Sequence, residues 1–207
     1  FTVSSIVCGA YSIFLCIQPN TDPRKFFVAA LAILFGFFFD NLDGRVARLT
    51  KTQSDFGTEI DSLADLVTFG VAPAMLMYSW ALQSLELYGF IPCVTYIVAG
   101  AVRLARFNVI SHRSKKTSAF FLGLPIPLAA LMLISLIIAH QNIGGGQVTH
   151  YQSIIILMFV LSYLMVSNVR FRSFKTFKVS AKTAPVVFVI VGVLVYCFTH
   201  YHPGMVL

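Results

Sequence analysis

The amino-acid sequence predicts an all-α, polytopic transmembrane helix bundle, and three observations support this fold class. Hydrophobic residues make up 57% of the 207 residues and charged residues 11%, whereas a soluble domain carries about 25% charged residues. The apolar residues fall into runs of about 20, the length at which a helix crosses a bilayer. Short polar connectors separate the runs, and no repeat or low-complexity linker divides the chain. We therefore expect one transmembrane domain over residues 1–207.

Seven candidate spans follow one another along the chain. Their approximate bounds are 2–18, 26–46, 58–80, 87–109, 120–140, 151–167 and 184–201. The first begins in an apolar run without Met and without a charged segment before a cleavage site, so we interpret it as a helix of the bundle and not as a signal peptide. We expect further residues before Phe1, and an eighth helix beyond Leu207. The cysteines lie in apolar stretches without a CxxC pair, as is typical of buried free thiols.

Basic residues predict the orientation of the bundle. Thirteen of the fifteen Lys and Arg residues fall in the connectors after the second, fourth and sixth spans or at the span ends next to them. Positive charge marks the cytoplasmic side of a membrane protein, so these connectors are expected in the cytoplasm. The net charge of +7 is explained by these connectors and does not indicate nucleic-acid binding. We also expect the basic connectors to contact anionic membrane lipids.

Acidic residues cluster between the second and third spans. Six of the eight fall between positions 40 and 65, namely Asp40, Asp43, Asp55, Glu59, Asp61 and Asp65. Carboxylates at the ends of membrane helices are costly unless they are paired or bind metal. Helical periodicity places Asp40 and Asp43 on one stripe, and Asp61 and Asp65 on a stripe of the next, antiparallel helix. Four carboxylates can therefore converge, and such oxygen ligands suit Mg²⁺ or Mn²⁺.

Simpler explanations account for some residues of this segment but not for all four aspartates. Asp55 and Glu59 fall in a first helical turn, where the helix dipole favours acids. Gly44 alone would be typical of helix packing. A different class of protein, an ion transporter that uses intramembrane carboxylates, would place them near the midplane in repeated halves. Here they lie at cytoplasmic helix ends, and no repeat is visible.

The acidic segment also resembles a known signature. Its fixed residues match D-x2-D-G-x2-A-R-x8-G-x3-D-x3-D of the CDP-alcohol phosphatidyltransferase family at all eight positions: Asp40, Asp43, Gly44, Ala47, Arg48, Gly57, Asp61 and Asp65. The resemblance implies an enzyme that transfers a phosphatidyl group from CDP-diacylglycerol to an alcohol. It implies a six-helix core, a homodimer and a cavity open to the cytoplasm and the lipid. The seventh span, about 184–201, would be an extra C-terminal helix.

The resemblance also implies roles for the signature residues. The aspartates Asp40, Asp43 and Asp61 would bind Mg²⁺ or Mn²⁺. The last aspartate, Asp65, would be the general base and would contact a second metal ion. The CDP group would be accommodated by small residues and contacted by an arginine, namely Gly44, Ala47, Gly57 and Arg48.

Two further segments resemble the branch of this family that uses serine as acceptor. They are Arg103-Leu104-Ala105-Arg106-Phe107-Asn108 and Gly123-Leu124-Pro125-Ile126-Pro127. Arg103 and Arg106 lie three residues apart at a cytoplasmic helix end, where one face could hold a serine carboxylate or a lipid phosphate. Anchoring by positive charge is the alternative for each of them. Asn108 is interpreted as a hydrogen-bonding residue of the helix end.

Several alternatives remain open on the sequence alone. A sibling transferase would use glycerol 3-phosphate or inositol phosphate, although a phosphorylated acceptor should require more clustered Arg and Lys. A catalytically dead relative would keep the fold, but the intact aspartates argue against it. No special nucleophile is visible, so direct transfer is favoured over a covalent phosphatidyl-enzyme. The expected location is the bacterial inner membrane, with the active site facing the cytoplasm.

Overall fold

A computed structural model describes the backbone of residues 2–18, 24–50, 55–113, 120–142, 151–168 and 170–172. Side chains are described over the same ranges apart from 43–50, 55, 111–122, 142 and 170–172. The predicted span at 184–201 lies outside the described residues. The predicted all-α fold class is confirmed, since six helices account for nearly all of the described chain.

The six helices follow the first six predicted spans. They are α1 (Thr2–Ile17), α2 (Arg24–Thr50), α3 (beginning as Asp55–Asp65 and continuing to Leu85), α4 (Leu87–Arg113), α5 (Ile126–Asn142) and α6 (Tyr151–Val166). Within the described residues, the stretches Arg24–Leu42, Phe56–Leu85 and Leu87–Ile110 are long and apolar enough to cross a membrane, and α1, α5 and α6 are shorter apolar helices. Large apolar side chains such as Phe35, Phe38 and Tyr163 point outward, as lipid-facing residues do. The chain is an integral membrane protein.

Helix α3 is not a regular α-helix over its whole length. It is α-helical over Asp55–Asp65, π-helical over Leu66–Val71, α-helical over Ala72–Met77, π-helical over Tyr78–Leu82 and 3-10 helical over Gln83–Leu85. Pro73 lies at the start of the second α-helical segment. Proline lacks an N–H, and its ring clashes with the carbonyl four residues earlier, which is that of Phe69. The wider π-helical turn before Pro73 relieves this clash, and such turns are frequent at functional sites.

The predicted start of the fifth span at residue 120 is wrong. Residues Phe120–Leu122 form a short strand, β1, which pairs antiparallel with β2 (Arg170–Arg172). Gly123 follows with φ +78°, a conformation that glycine adopts readily. The Leu124 amide then donates to the Leu164 carbonyl at 3.0 Å, so α5 begins only at Ile126. This ladder joins two connectors that the charge pattern places on the cytoplasmic side.

Helices α1 and α2 approach the π-helical turn of α3 closely at Thr68. A Cβ atom on Gly9 of α1 would lie 2.8 Å from Thr68 Cα, and one on Gly36 of α2 would lie 2.6 Å from Thr68 Cγ2. The Thr68 hydroxyl donates to the Ser5 carbonyl of α1 at 3.0 Å. Small residues let membrane helices pack this closely. The packing brings α2 against α3 one helical turn before Asp40.

Gly36→Val is expected to destabilise the bundle, because two methyl groups would have to enter space that Thr68 occupies. Overpacking of this kind costs about 1–3 kcal/mol. The measurement is the Tm of the detergent-solubilised protein. Ala10→Val, on an exposed position of α1, is the control and should leave the Tm nearly unchanged. An unchanged Tm in Gly36→Val would show that α2 and α3 do not meet as closely as described.

Candidate active site

Asp65 lies where the first α-helical segment of α3 passes into the π-helical turn. Its Oδ1 atom is buried, and no described atom donates a hydrogen bond to it. The carboxyl group of Asp40, on α2, lies within hydrogen-bonding reach of Asp65, and Asp61 is close enough to act on it electrostatically. Carboxylates this close repel each other unless a proton or a cation lies between them. The structure therefore brings three of the four predicted aspartates together.

Arg103 of α4 faces this acidic cluster. Its side chain is 8% exposed, and it interacts electrostatically with Asp65. The guanidinium carbon lies 5.6 Å from the ring centroid of Phe107. Its buried Nε atom finds no acceptor among the described residues. The buried guanidinium therefore lies beside a carboxylate and still has an N–H that can donate. This arrangement is expected of a site that binds a polar ligand.

Arg106 is directed to a different part of the bundle. Its guanidinium donates to the Val166 carbonyl at 3.3 Å and to the Asn168 side chain. It thus links α4 to the end of α6. Residues three apart on a helix differ by about 60° in direction, and these two long side chains diverge. A substrate role for Arg106 stays a prediction, and the structure shows it making a contact between helices.

A polar contact between α3 and α4 was only partly visible in the sequence. Asn108 Nδ2 donates to Glu59 Oε2 at 3.3 Å and lies 3.0 Å from Ser62 Oγ. Asn108 is a hydrogen-bonding residue, as interpreted, but α4 continues beyond it to Arg113. Glu59 was interpreted as a first-turn acid, and its partner on α4 was missed because nothing in a single sequence pairs the two. The contact joins the first two turns of α3 to α4.

The remaining signature residues are only partly described. Asp43, Gly44, Ala47 and Arg48 belong to α2, but their side chains lie outside the described residues. Gly57 is exposed in the first turn of α3, about two turns before Asp65. The roles predicted for these five residues stay predictions.

The described donor set fits a hard divalent cation, although it does not form a complete coordination shell. No group of three described His, Cys, Asp or Glu side chains is placed to hold a metal ion, and the Asp43 side chain is not among them. Three carboxylates face one guanidinium, so negative charge is in excess. Oxygen donors with excess negative charge suit Mg²⁺ or Mn²⁺. Asp40 and Asp61 are the described residues that would contribute ligands to such an ion, with Asp65 beside them.

Comparison with known proteins agrees with the signature. Residues 1–166 match the model of the family described as CDP-alcohol phosphatidyltransferase. A CDP-diacylglycerol–serine O-phosphatidyltransferase of Helicobacter pylori is 38% identical over 185 residues, which is 88% of this chain and 74% of the relative. Proteins of the same name from Bacillus subtilis and Methanocaldococcus jannaschii are similar too. The first is 39% identical over 174 residues (84% of this chain, 88% of the relative), and the second 36% over 170 residues (82% and 70%). The chain belongs to the CDP-alcohol phosphatidyltransferase family.

Proposed function

We propose that this enzyme transfers the phosphatidyl group of CDP-diacylglycerol to the hydroxyl of L-serine, giving phosphatidylserine and CMP. The observation that carries the proposal is the buried Arg103 beside Asp65. Serine offers a carboxylate that needs a cation and, three bonds from the carboxylate carbon, a hydroxyl oxygen whose proton needs a base. The names of the relatives in three distant organisms support the same acceptor.

In the proposed mechanism, Asp65 accepts the proton of the serine hydroxyl. Its Oδ1 atom is not hydrogen-bonded to any described group, so it retains the acceptor capacity that a general base needs. The serine oxygen forms a bond to the phosphorus next to diacylglycerol. The bond from that phosphorus to the bridging oxygen breaks, and CMP leaves with the electron pair. The chain thus performs one direct displacement.

Arg103 orients the acceptor in this mechanism. A guanidinium binds a carboxylate through two parallel hydrogen bonds, which fixes both its distance and its plane. The low exposure of Arg103 strengthens this interaction, because little water competes for the charges. Holding the serine hydroxyl at Asp65 supplies the positioning from which much of an enzyme's rate derives.

The acidic cluster is the proposed metal site. Asp40 and Asp61, together with Asp43, would hold Mg²⁺ or Mn²⁺, and Asp65 would contact a second ion. A divalent ion at this site would supply positive charge for the diphosphate and for the leaving CMP. Gly44, Ala47 and Gly57 are proposed to leave room for the CDP group and Arg48 to contact it.

The lipid part of the substrate is proposed to lie along the outer face of α2. A groove there is lined by Leu34, Phe35, Phe37, Phe38, Asn41 and Leu42. Its last lining residues, Asn41 and Leu42, lie at the same end of α2 as Asp40. The proposed setting is a homodimer in the bacterial inner membrane, with the cluster facing the cytoplasm.

The proposal is tested with purified protein, CDP-diacylglycerol and Mg²⁺ or Mn²⁺, by following CMP release with one acceptor at a time. We expect rapid release with serine and little with glycerol 3-phosphate or inositol phosphate. Turnover of a phosphorylated acceptor but not of serine would make the enzyme a sibling transferase. No release with any acceptor would favour the dead relative or the transporter.

Arg103→Lys is expected to raise the KM for serine by about 10–100-fold, the equivalent of one lost charge-assisted hydrogen bond. Lysine keeps the charge but loses the planar fork that is proposed to bind the serine carboxylate. The KM for CDP-diacylglycerol should change less, because Arg103 is not proposed to contact that substrate. Arg106→Lys is the matched control, since its contacts lie at the end of α6. An equal rise in both KM values for Arg103→Lys would instead indicate that Arg103 binds the nucleotide lipid.

A further inference from the structure

The backbone directly after Asp65 changes its hydrogen-bonding register. In the π-helical turn the Ala72 amide donates to the Val67 carbonyl, five residues earlier, whereas a regular α-helix pairs residues four apart. Pro73 follows and has no N–H, so neither the Thr68 nor the Phe69 carbonyl receives a bond from residue 73. Phe69 is fully buried, so water does not reach its carbonyl. Unpartnered backbone groups are costly inside a membrane protein, and a neighbouring side chain usually supplies the missing bond.

Tyr96 of α4 supplies that bond. Its hydroxyl donates to the Phe69 carbonyl at 3.1 Å. The Tyr96 side chain is fully buried, so its ring and hydroxyl have little room to move. The preceding residue of the turn, Thr68, is held from the other side by its hydrogen bond to the Ser5 carbonyl, 3.0 Å long. Consecutive residues of the π-helical turn are therefore fixed to two different helices.

The same stripe of α4 contacts α3 at two levels. Tyr96 and Arg103 are seven residues apart, about two helical turns, so they lie on one face of α4. Their partners on α3, Phe69 and Asp65, are four residues apart. The hydrogen bond from Tyr96 thus sets the rotation of α3 relative to α4 one turn away from the Asp65–Arg103 pair.

We propose that Tyr96 is a positioning residue for the reaction. Its hydroxyl holds the π-helical turn Leu66–Val71 and thereby sets the direction in which Asp65 meets Arg103 and the acceptor. The kinetic part of this inference rests on the function proposed above. The structural part, that the Tyr96 hydroxyl stabilises the turn after Asp65, does not.

Tyr96→Phe tests the proposal because it removes the hydroxyl and keeps the ring. We expect kcat to fall about 10–100-fold, the size of effect that a displacement of about 1 Å has on a reacting group. Both KM values should stay within about twofold, since no substrate contact is removed. Ser162→Ala is the matched control. It also removes a buried bond from a side chain to the backbone, Ser162 Oγ to the Met158 carbonyl at 2.7 Å, but in α6. It should leave kcat unchanged.

A second variant connects the effect to its cause. Pro73→Ala restores the N–H of residue 73 and allows the segment to return to the α-helical register, in which that amide donates to the Phe69 carbonyl. Adding Tyr96→Phe to this background should therefore lower kcat much less than in the parent protein. If the fold-decrease in kcat of the double variant equals the product of the fold-decreases of the two single variants, the proposed link between Pro73 and Tyr96 is contradicted.

Hydrogen exchange provides a readout that does not depend on activity. Amides of the segment 66–74 should exchange faster in Tyr96→Phe than in the parent. In Ser162→Ala the amides of the same segment should exchange at the rate of the parent. If Tyr96→Phe changes neither this exchange nor kcat beyond the control, Tyr96 is only a packing residue and the inference is wrong. If the parent releases no CMP with any acceptor, the proposed function fails, and the exchange result alone decides whether Tyr96 holds the turn.

Discussion

Asp65→Asn is expected to lower kcat by about 10²–10⁴-fold, the usual cost of removing a general base. Asparagine has nearly the same shape, but its amide cannot take the serine proton at neutral pH. Both KM values should change much less than kcat, because the serine carboxylate is proposed to bind Arg103 and the nucleotide is proposed to bind other residues. The measurement is steady-state CMP release with each substrate varied in turn.

The same variant should fold at least as well as the parent protein in metal-free buffer. The Oδ1 atom of Asp65 receives no hydrogen bond from any described group, so replacing it removes no stabilising bond of that atom. The substitution also removes one of three neighbouring carboxylates and so reduces the repulsion with Asp40 and Asp61. An unchanged or higher Tm together with the loss of kcat would separate a catalytic effect from misfolding.

Glu59→Gln is the control for this experiment. Glu59 is an exposed acid on the same helix, held by Asn108, and its replacement keeps a hydrogen-bond acceptor at the same position. We expect nearly normal turnover. Should Asp65→Asn turn over normally while Glu59→Gln does not, the proton is taken by Glu59 and the base must be reassigned.

The positions of the helices and of three aspartates could be predicted because they depend on local periodicity and hydropathy. The spacing of Asp61 and Asp65 puts both on one stripe, and the short connector before them makes α2 and α3 neighbours, so the meeting with Asp40 follows. The sequence also places Arg103 and Arg106 at the cytoplasmic end of the fourth span. Of the two, Arg103 interacts with Asp65, whereas Arg106 contacts the end of α6.

The features that could not be predicted depend on contacts between distant residues. The apolar run from Phe56 to Leu85 has the composition of any membrane span, and its π-helical turns arise from Pro73 and from how α3 packs. Tyr96 and Phe69, which share a hydrogen bond, are 27 positions apart in the sequence, and Asn108 and Glu59 are 49 positions apart. The sequence predicts a helix from residue 120 because Phe and Leu are as common in membrane helices as in strands, but Phe120–Leu122 form a strand. The strand forms because it pairs with β2, a distant segment whose position the local sequence does not indicate.

Asp61→Asn is expected to weaken the response of the enzyme to Mg²⁺ or Mn²⁺ by on the order of 100-fold or more. Replacing residues that only support metal ligands already costs about 10–100-fold in metal affinity or activity, and Asp61 is proposed to be a ligand itself. The measurement is kcat against Mn²⁺ concentration in protein first stripped with a chelator. The concentration for half-maximal activity should rise, and excess Mn²⁺ should restore part of the rate. Glu86→Gln, an exposed acid at the opposite end of α3, should leave the curve unchanged.

Thermal stability tests the same assignment without any substrate. An ion that binds the folded protein at 100 times its Kd stabilises it by about 2.7 kcal/mol, so Mn²⁺ should raise the Tm of the parent. It should raise the Tm of Asp61→Asn much less. In metal-free buffer the order is expected to reverse, because the variant has one carboxylate fewer beside Asp65. A simple loss of packing would lower the Tm of the variant under both conditions. Only a site that needs a cation to hold its carboxylates together predicts that the difference in Tm between Asp61→Asn and the parent changes sign when the metal is added.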